Sequence, residues 1–216
     1  MRQLLVIPTL AEAEQLIADY GFKPTNQPAL YERSDSCHLL VTGIGTVPVI
    51  FNLSRHLAEN RYDRLIHAGV AGSFFRNLQP GEVVQVTRDT FADYGIDHDG
   101  VFRWIFHEGL WNPDEAPFRN GWIEVPADPQ LNLQQVSAVT VDLVTGSEQR
   151  KQHLINKFNP HIETMEGAAV FYVCSRMGMP AVQIRGISNH TGTRDRLVWK
   201  MGEAIEAFTR ELSVFL

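Results

Sequence analysis

Short runs of β-branched and aliphatic residues alternate in this chain with stretches whose apolar residues recur at helical spacing, and that alternation limits the fold more than any other feature. The runs are 4–7, 38–42, 64–68, 82–87, 136–144 and 181–187. Between them, Leu16, Ile17 and Tyr20 share a helical face that Gly21 can stop, and Ile50, Leu53 and Leu57 repeat after Pro48, a residue suited to a first helical turn. Ala169, Val170, Val173, Cys174 and Met177 form a third stripe ended by Gly178 and Pro180, and Leu197, Met201, Ala204, Ile205, Phe208 and Leu212 form a fourth. Strands that alternate with helices predict an α/β fold with a mainly parallel or mixed sheet flanked by helices. No repeat, low-complexity tract or linker divides residues 1–216, so a single domain is expected. At 44% apolar residues, a chain of this length can bury a core without disulfide or metal staples.

Charge and cysteine usage exclude several partners. The formal net charge is −6, whereas nucleic acids and anionic membranes call for a basic surface. The two cysteines, Cys37 and Cys174, lie far apart without a CxxC partner, and none of the eight histidines forms an HxH or HxxxH pair, so no metal is expected. The apolar run at the N-terminus is too short for a signal peptide, and no window approaches the roughly 20 apolar residues that span a bilayer. A cytoplasmic protein is expected.

Residues 91–126 stand apart. Phe91, Tyr94, Phe102, Trp104, Phe106, Trp111, Phe118 and Trp122 lie there among Asp, Gly and Pro with no clean period. Two readings stand: a long loop with its aromatics packed beneath it, or a lid or subunit contact beside a ligand site.

Thr42-Gly43-Ile44-Gly45-Thr46 lies between a strand and a helix, and Ala68-Gly69-Val70-Ala71-Gly72-Ser73 does so more loosely. Glycines at such turns allow close approach of a ligand to the backbone, although each segment alone reads better as a tight turn without a ligand. Neither is a dinucleotide fingerprint or a Walker loop. Ligands of open α/β sheets sit at the C-terminal ends of strands, so the two together point to a small-molecule pocket.

His161-Ile162-Glu163-Thr164-Met165-Glu166-Gly167-Ala168-Ala169 runs into the third stripe. Glu166 falls near the first helical turn, where the helix dipole favours a carboxylate, with Thr164 as a possible cap. The small residues after it leave room beside the carboxylate for the two hydroxyls of a ribose. Farther on, Arg185 sits in an apolar strand and needs a partner, because an unpaired buried charge is costly. Ser188 and Asn189 end that strand as candidates for ligand contact.

GIG at 43–45, AGVAGS at 68–73, TMEGAA at 164–169 and RGISN at 185–189 stand in the order and spacing of the nucleoside phosphorylase/nucleosidase superfamily, which the whole chain resembles. Within it the chain is similar to the nucleosidases of methylthioadenosine and adenosylhomocysteine, and most of all to the futalosine hydrolases. The resemblance implies a three-layer α/β/α sandwich with its pocket at the strand ends, no cofactor, and a homodimer or higher homo-oligomer. It places Ile44, Ala71, Gly72, Thr164 and Ser188 around the substrate, Met165 against the ribose, and Glu166 on its 2′- and 3′-hydroxyls. Glu12 matches the glutamate that positions the attacking water, with Glu14, two residues on, as the alternative.

Two departures from the adenine-specific nucleosidases are informative. They carry an aspartate where this chain has Asn189. A carboxyl can donate to N7 and accept from a 6-amino group, whereas an amide can accept from protonated N7 and donate to a 6-oxo group. Asn189 therefore points to hypoxanthine or guanine, and to stabilisation of the departing base. The segment from Gly146 to Thr164 is also shorter and opens Ser147-Glu148-Gln149-Arg150, without the base-stacking phenylalanine of those enzymes, so stacking is expected from elsewhere, with residues 91–126 as one source.

Futalosine carries a carboxylated aromatic group on its 5′ side, and its hydrolysis releases hypoxanthine on a route to menaquinone. Arg194 and Arg196, in the stretch from His190 to Lys200 that resembles futalosine hydrolases, are either ligands of that carboxylate or solvated charges paired with Asp195. The rival functions are adenine-nucleoside hydrolysis, a phosphorylase, and a nucleoside-binding module without catalysis. The phosphorylases open with a Gly-Asp-Pro-like loop and a phosphate-holding arginine, where this chain has Ile7-Pro8-Thr9-Leu10 and then acidic residues.

Overall fold

The computed structural model describes residues 1–192 and 198–216. Its frame is a mixed sheet whose centre is parallel. Strand β1 (Gln3–Ile7) lies between β4 (Cys37–Val41) and β5 (Arg64–Ser73), and β12 (Ala181–His190) pairs with the other side of β5, all parallel. Beyond β12, β6 (Val83–Asp89) joins antiparallel, followed in parallel by β10 (Gln134–Thr140) and β11 (Ile162–Thr164). The edge past β4 is finished by the short antiparallel strands β3 (Leu30–Ser34) and β2 (Lys23–Pro24), and β9 (Ile123–Glu124) pairs with the end of β6. The sheet also curls until β11 meets the end of β5, with Glu163 opposite Gly72.

Helices cover both faces, which is why β1 is buried at every position rather than at alternate ones. Leu4 and Val6 enter a core under α2 (Thr46–Glu59), α3 (Glu148–Phe158) and α4 (Gly167–Arg176), whereas Leu5 and Ile7 enter one under α1 (Leu10–Tyr20) and α5 (Met201–Glu211). This is the α/β class with a mixed, mainly parallel sheet that the alternation predicts. The expected stop holds, with Gly21 closing the helix at φ 71°, and the Thr9 side chain caps the start of α1 by accepting from the Glu12 N–H.

Several expectations are corrected. Residues 68–73 are the second half of β5, not a turn between a strand and a helix. The run at 136–144 ends as a strand at Thr140, and its last residues turn toward the cavity described below. In α2 the buried residue of the first turns is Val49, whereas Ile50 is 37% exposed. Met177 lies beyond α4 and is likewise exposed. Leu197 of the last stripe lies outside the described residues.

The aromatic stretch follows the first of its two readings. A hairpin of β7 (Gly95–His98) and β8 (Val101–Trp104) leads into a buried cluster in which Trp104, Phe106 and Phe118 pack edge-on or tilted, with Trp111 beside them, against Phe158 of α3 and Tyr172 of α4. Trp104, Phe106, Phe118 and Trp122 are spent on the core, whereas Tyr94 stays 52% exposed.

Candidate active site

The C-terminal ends of β1, β5 and β12 open on one side of the sheet, and the N-termini of α1 and α4 point to the same side. Between them lies a cavity of about 290 Å³, near the lower end of the range for small-molecule sites. Its wall takes one residue or more from every segment singled out by motif: Glu12, Ile44, Ala71, Gly72, Thr164, Met165, Glu166, Ser188 and Asn189 all line it. Glu14 is exposed and does not. Arg194 and Arg196 lie outside the described residues.

Glu12 occupies the first turn of α1 and is turned inward. Its Oε2 accepts from the Thr9 hydroxyl at 2.6 Å, and its Oε1 accepts from the Val70 N–H at 3.0 Å. The same threonine that caps the helix therefore orients its carboxylate. Glu166 stands at the N-cap of α4, one step ahead of the first turn, and is 5% exposed. Its Oε1 accepts from the Gly45 N–H at 3.2 Å, and its Oε2 lies 3.5 Å from Nη1 of Arg185. Gly45 holds φ 86°, a left-handed value that aims its N–H at the carboxylate and that other residues rarely adopt. Burial pushes the Glu166 carboxyl above its usual range, against the pull of Arg185 and the Gly45 N–H, and the nearby Glu12 adds to the rise.

The partner that Arg185 requires is thus a carboxylate on the cavity wall. The guanidinium is fully buried, and besides Glu166 it donates to the Val70 carbonyl at 3.4 Å and to Nε2 of His67. A buried pair of this kind adds little net stability, but loss of either partner strands a charge, so it fixes geometry.

Asn189 lines the same cavity. Its Oδ1 accepts from the Ser188 hydroxyl at 2.8 Å and its Nδ2 donates to the His190 carbonyl at 3.0 Å. An amide offers two N–H groups and two lone pairs, so one donor and one acceptor remain for a ligand.

The lining also contains residues that sequence reasoning did not single out. Trp199 is the aromatic side chain on the cavity among the described residues, brought beside the end of β12 by the Lys200 N–H to Ser188 carbonyl bond at 2.8 Å. None of residues 91–126 lines the cavity within the chain. Glu163 is buried there too, held by the Thr145 N–H at 3.0 Å and by the Thr145 hydroxyl, with burial raising its pKa. Glu12, Glu163 and Glu166 are the charged side chains on the described wall, and no lysine or arginine faces it. Among the described residues no group of three or more His, Cys, Asp or Glu is placed to hold a metal ion, and no helix is long and apolar enough to cross a membrane.

Comparison with known proteins accords with this architecture. The chain is 29% identical over 188 residues to the futalosine hydrolase of Thermus thermophilus, covering 79% of this chain and 77% of that protein. It is 27% identical over 187 residues to the futalosine hydrolase of Streptomyces coelicolor, covering 83% and 78%. The structure of the futalosine hydrolase of Helicobacter pylori strain 26695 superposes with a TM-score of 0.81 at 16% identity, covering 99% of this chain and 96% of that one. The family model of the phosphorylase superfamily matches residues 29–216, and the chain belongs to that superfamily.

Proposed function

We propose that this protein hydrolyses the N-glycosidic bond of a 6-oxopurine nucleoside, futalosine before others, releasing hypoxanthine and dehypoxanthine futalosine in menaquinone biosynthesis. The observation that carries the reading is the pair of buried carboxylates, Glu12 and Glu166, that line one cavity together with Asn189. The futalosine hydrolases to which the chain is similar support the choice of substrate.

Glu166 binds the 2′- and 3′-hydroxyls while positive charge grows at the anomeric carbon, and Met165 lies against the sugar. Glu12, its Oε2 facing a threonine hydroxyl and its Oε1 a backbone N–H, guides water to that carbon. As the bond to N9 breaks, N7 takes a proton from solvent and the base leaves neutral; the free acceptor of Asn189 takes that N7–H and its free donor takes O6, while the attacking water gives its proton to Glu12. Trp199 supplies the stacking face. Ile44, Ala71, Gly72, Thr164 and Ser188 complete the substrate-binding wall, and Arg194 and Arg196 hold the 5′ carboxylate. No metal or cofactor takes part.

A wall of carboxylates without a cation among its described residues favours water over phosphate as the nucleophile, and Asn189 favours a 6-oxopurine over methylthioadenosine. A binding module would have no use for a buried water-guiding glutamate. The test is base release in phosphate-free buffer: hydrolysis proceeds and yields the free sugar, whereas a requirement for phosphate contradicts the reading.

The enzyme works as a homodimer in the cytoplasm. Val47, Ile50 and Phe51 form an exposed apolar face on α2 that continues from Ile44 at the cavity mouth, and a patch of this kind suits a second copy. Both cysteines are buried and unpaired, as a reducing compartment favours. Light scattering at micromolar concentration should give twice the chain mass, and a single-chain mass would contradict the dimer.

A further inference from the structure

His67 lies in β5 directly before the 68–73 segment, fully buried, and nothing in the proposed chemistry uses it. Its Nδ1 lies 3.1 Å from the Val6 carbonyl of β1, an atom that only accepts, so Nδ1 carries the hydrogen. Its Nε2 faces Nη2 of Arg185, and a guanidinium has donors only, so Nε2 is the acceptor. Burial and the adjacent guanidinium both disfavour a charged imidazole here.

The space for this arrangement is provided by Gly69, paired with Arg185 across the two strands. A Cβ on Gly69 would stand 2.6 Å from Nη1 of Arg185 and 3.2 Å from Oε1 of Glu12. Nε of Arg185 has no partner among the described residues, so the orientation of the guanidinium rests on its two terminal nitrogens. One of them meets His67, and the other meets Glu166 and the Val70 carbonyl.

We propose that His67 is a positioning residue: accepting through Nε2, it fixes the guanidinium of Arg185 so that Arg185 in turn presents Glu166 to the two ribose hydroxyls. The inference rests on Glu166 being the ribose ligand. The network runs from the Val6 carbonyl through His67 and Arg185 to Glu166, so the backbone of β1 sets the position of a carboxylate on α4. Removing the acceptor frees the guanidinium to turn, and the effect falls on sugar recognition rather than on the base or the water.

Two measurements test it. In the wild-type protein labelled with ¹⁵N-histidine, the His67 ring should show a protonated Nδ1 and an unprotonated Nε2 at neutral pH; a proton on Nε2 would overturn the network whatever the enzyme's substrate. The second compares kcat/KM for inosine and 2′-deoxyinosine in the wild type, His67→Leu and His67→Gln. A leucine removes the acceptor, whereas a glutamine carries an amide oxygen near the position of Nε2. The preference for the ribonucleoside should fall about tenfold in His67→Leu, mainly through KM, and should largely persist in His67→Gln. Equal losses on both nucleosides, with the preference intact, would reduce His67 to packing and overturn the proposal. If His67→Leu does not fold, the ratio in His67→Gln and the tautomer of the wild type decide. If the wild type cleaves neither nucleoside, the tautomer judges the network by itself.

Discussion

Replacing Asn189 by aspartate changes one nitrogen to oxygen and separates base recognition from every other part of the mechanism. In the native protein Nδ2 already gives one hydrogen to the His190 carbonyl at 3.0 Å, and Oδ1 already accepts from Ser188 at 2.8 Å. What remains is one donor and one acceptor, the complement of a 6-oxopurine with N7 protonated. In Asn189→Asp an oxygen faces the His190 carbonyl and must hold a proton to stay there, which leaves no donor for O6. A buried polar group left mispaired costs about 1–3 kcal/mol, or about 5- to 150-fold in kcat/KM. A 6-amino nucleoside suffers less, because its N6 donates and finds an acceptor in the lone pair of the new, protonated carboxyl group. The assay is kcat/KM for inosine and for methylthioadenosine in wild type and variant, by ultraviolet detection of the released base. The ratio should move toward the 6-amino substrate by about tenfold or more. Equal losses on the two would refute the base-recognition argument, even if both were large.

Glu12→Gln keeps the side chain's shape but not its basicity, so kcat should fall by about a hundredfold or more while KM changes little. Glu14→Gln, on the exposed face of the same helix, should leave turnover near normal, and the reverse result would move the water-guiding role to Glu14. Asp89 gives a pH prediction. It is fully buried beneath α4 and accepts from Thr90, Thr140 and Gln183, and burial raises its pKa from 3.8 to about 7. Because the folded value is the higher one, the folded chain holds a proton that the unfolded chain has released between those values; stability therefore declines as pH rises across that window and levels off above it. The rise of about 3 units corresponds to about 4 kcal/mol as a ceiling. Asp89→Asn removes the ionisation and, once the Gln183 amide that now donates to Oδ2 turns over, can donate to Oε1 of Gln183, which has no partner among the described residues. The variant should gain stability at pH 8 in urea unfolding and show a flatter decline from pH 4; a loss of stability at pH 8 would contradict this. Treatment with a chelator should leave the rate of base release unchanged, and a metal-restorable loss would contradict the metal-free mechanism.

Local signals made most of the frame legible. The central strands are continuous apolar runs, and the end of α1 is announced by Gly21. What was not read falls into two kinds. Some of it carried a local signal that competed with a stronger impression: β7 and β8 join through Asp99 and Gly100 at φ 53° and 77°, a favoured hairpin turn hidden among aromatics without a period. Likewise α3 has Ser147 as its cap, accepting from the Arg150 N–H, but it buries only Leu154 and Phe158, too narrow a stripe to register. The rest had no local signal at all. Glu163 reaches the cavity because β11 curls round to pair with β5, and Trp199 because its neighbour bonds to Ser188. Arg185 was legible as a charge in want of a partner, yet that the partners would be Glu166 and His67 follows only from the register of β5 against β12. In the same way Gly69 reads in sequence as room for a ligand, whereas in the fold it makes room for the guanidinium.

The central claim, hydrolysis of a 6-oxopurine nucleoside with a large 5′ group, is tested most directly by offering the purified protein futalosine, inosine and methylthioadenosine side by side in phosphate-free buffer and quantifying the released base. Fast release of hypoxanthine from futalosine, slower release from inosine and little adenine from methylthioadenosine is the predicted result. Preferential cleavage of methylthioadenosine would contradict both the substrate and the role given to Asn189.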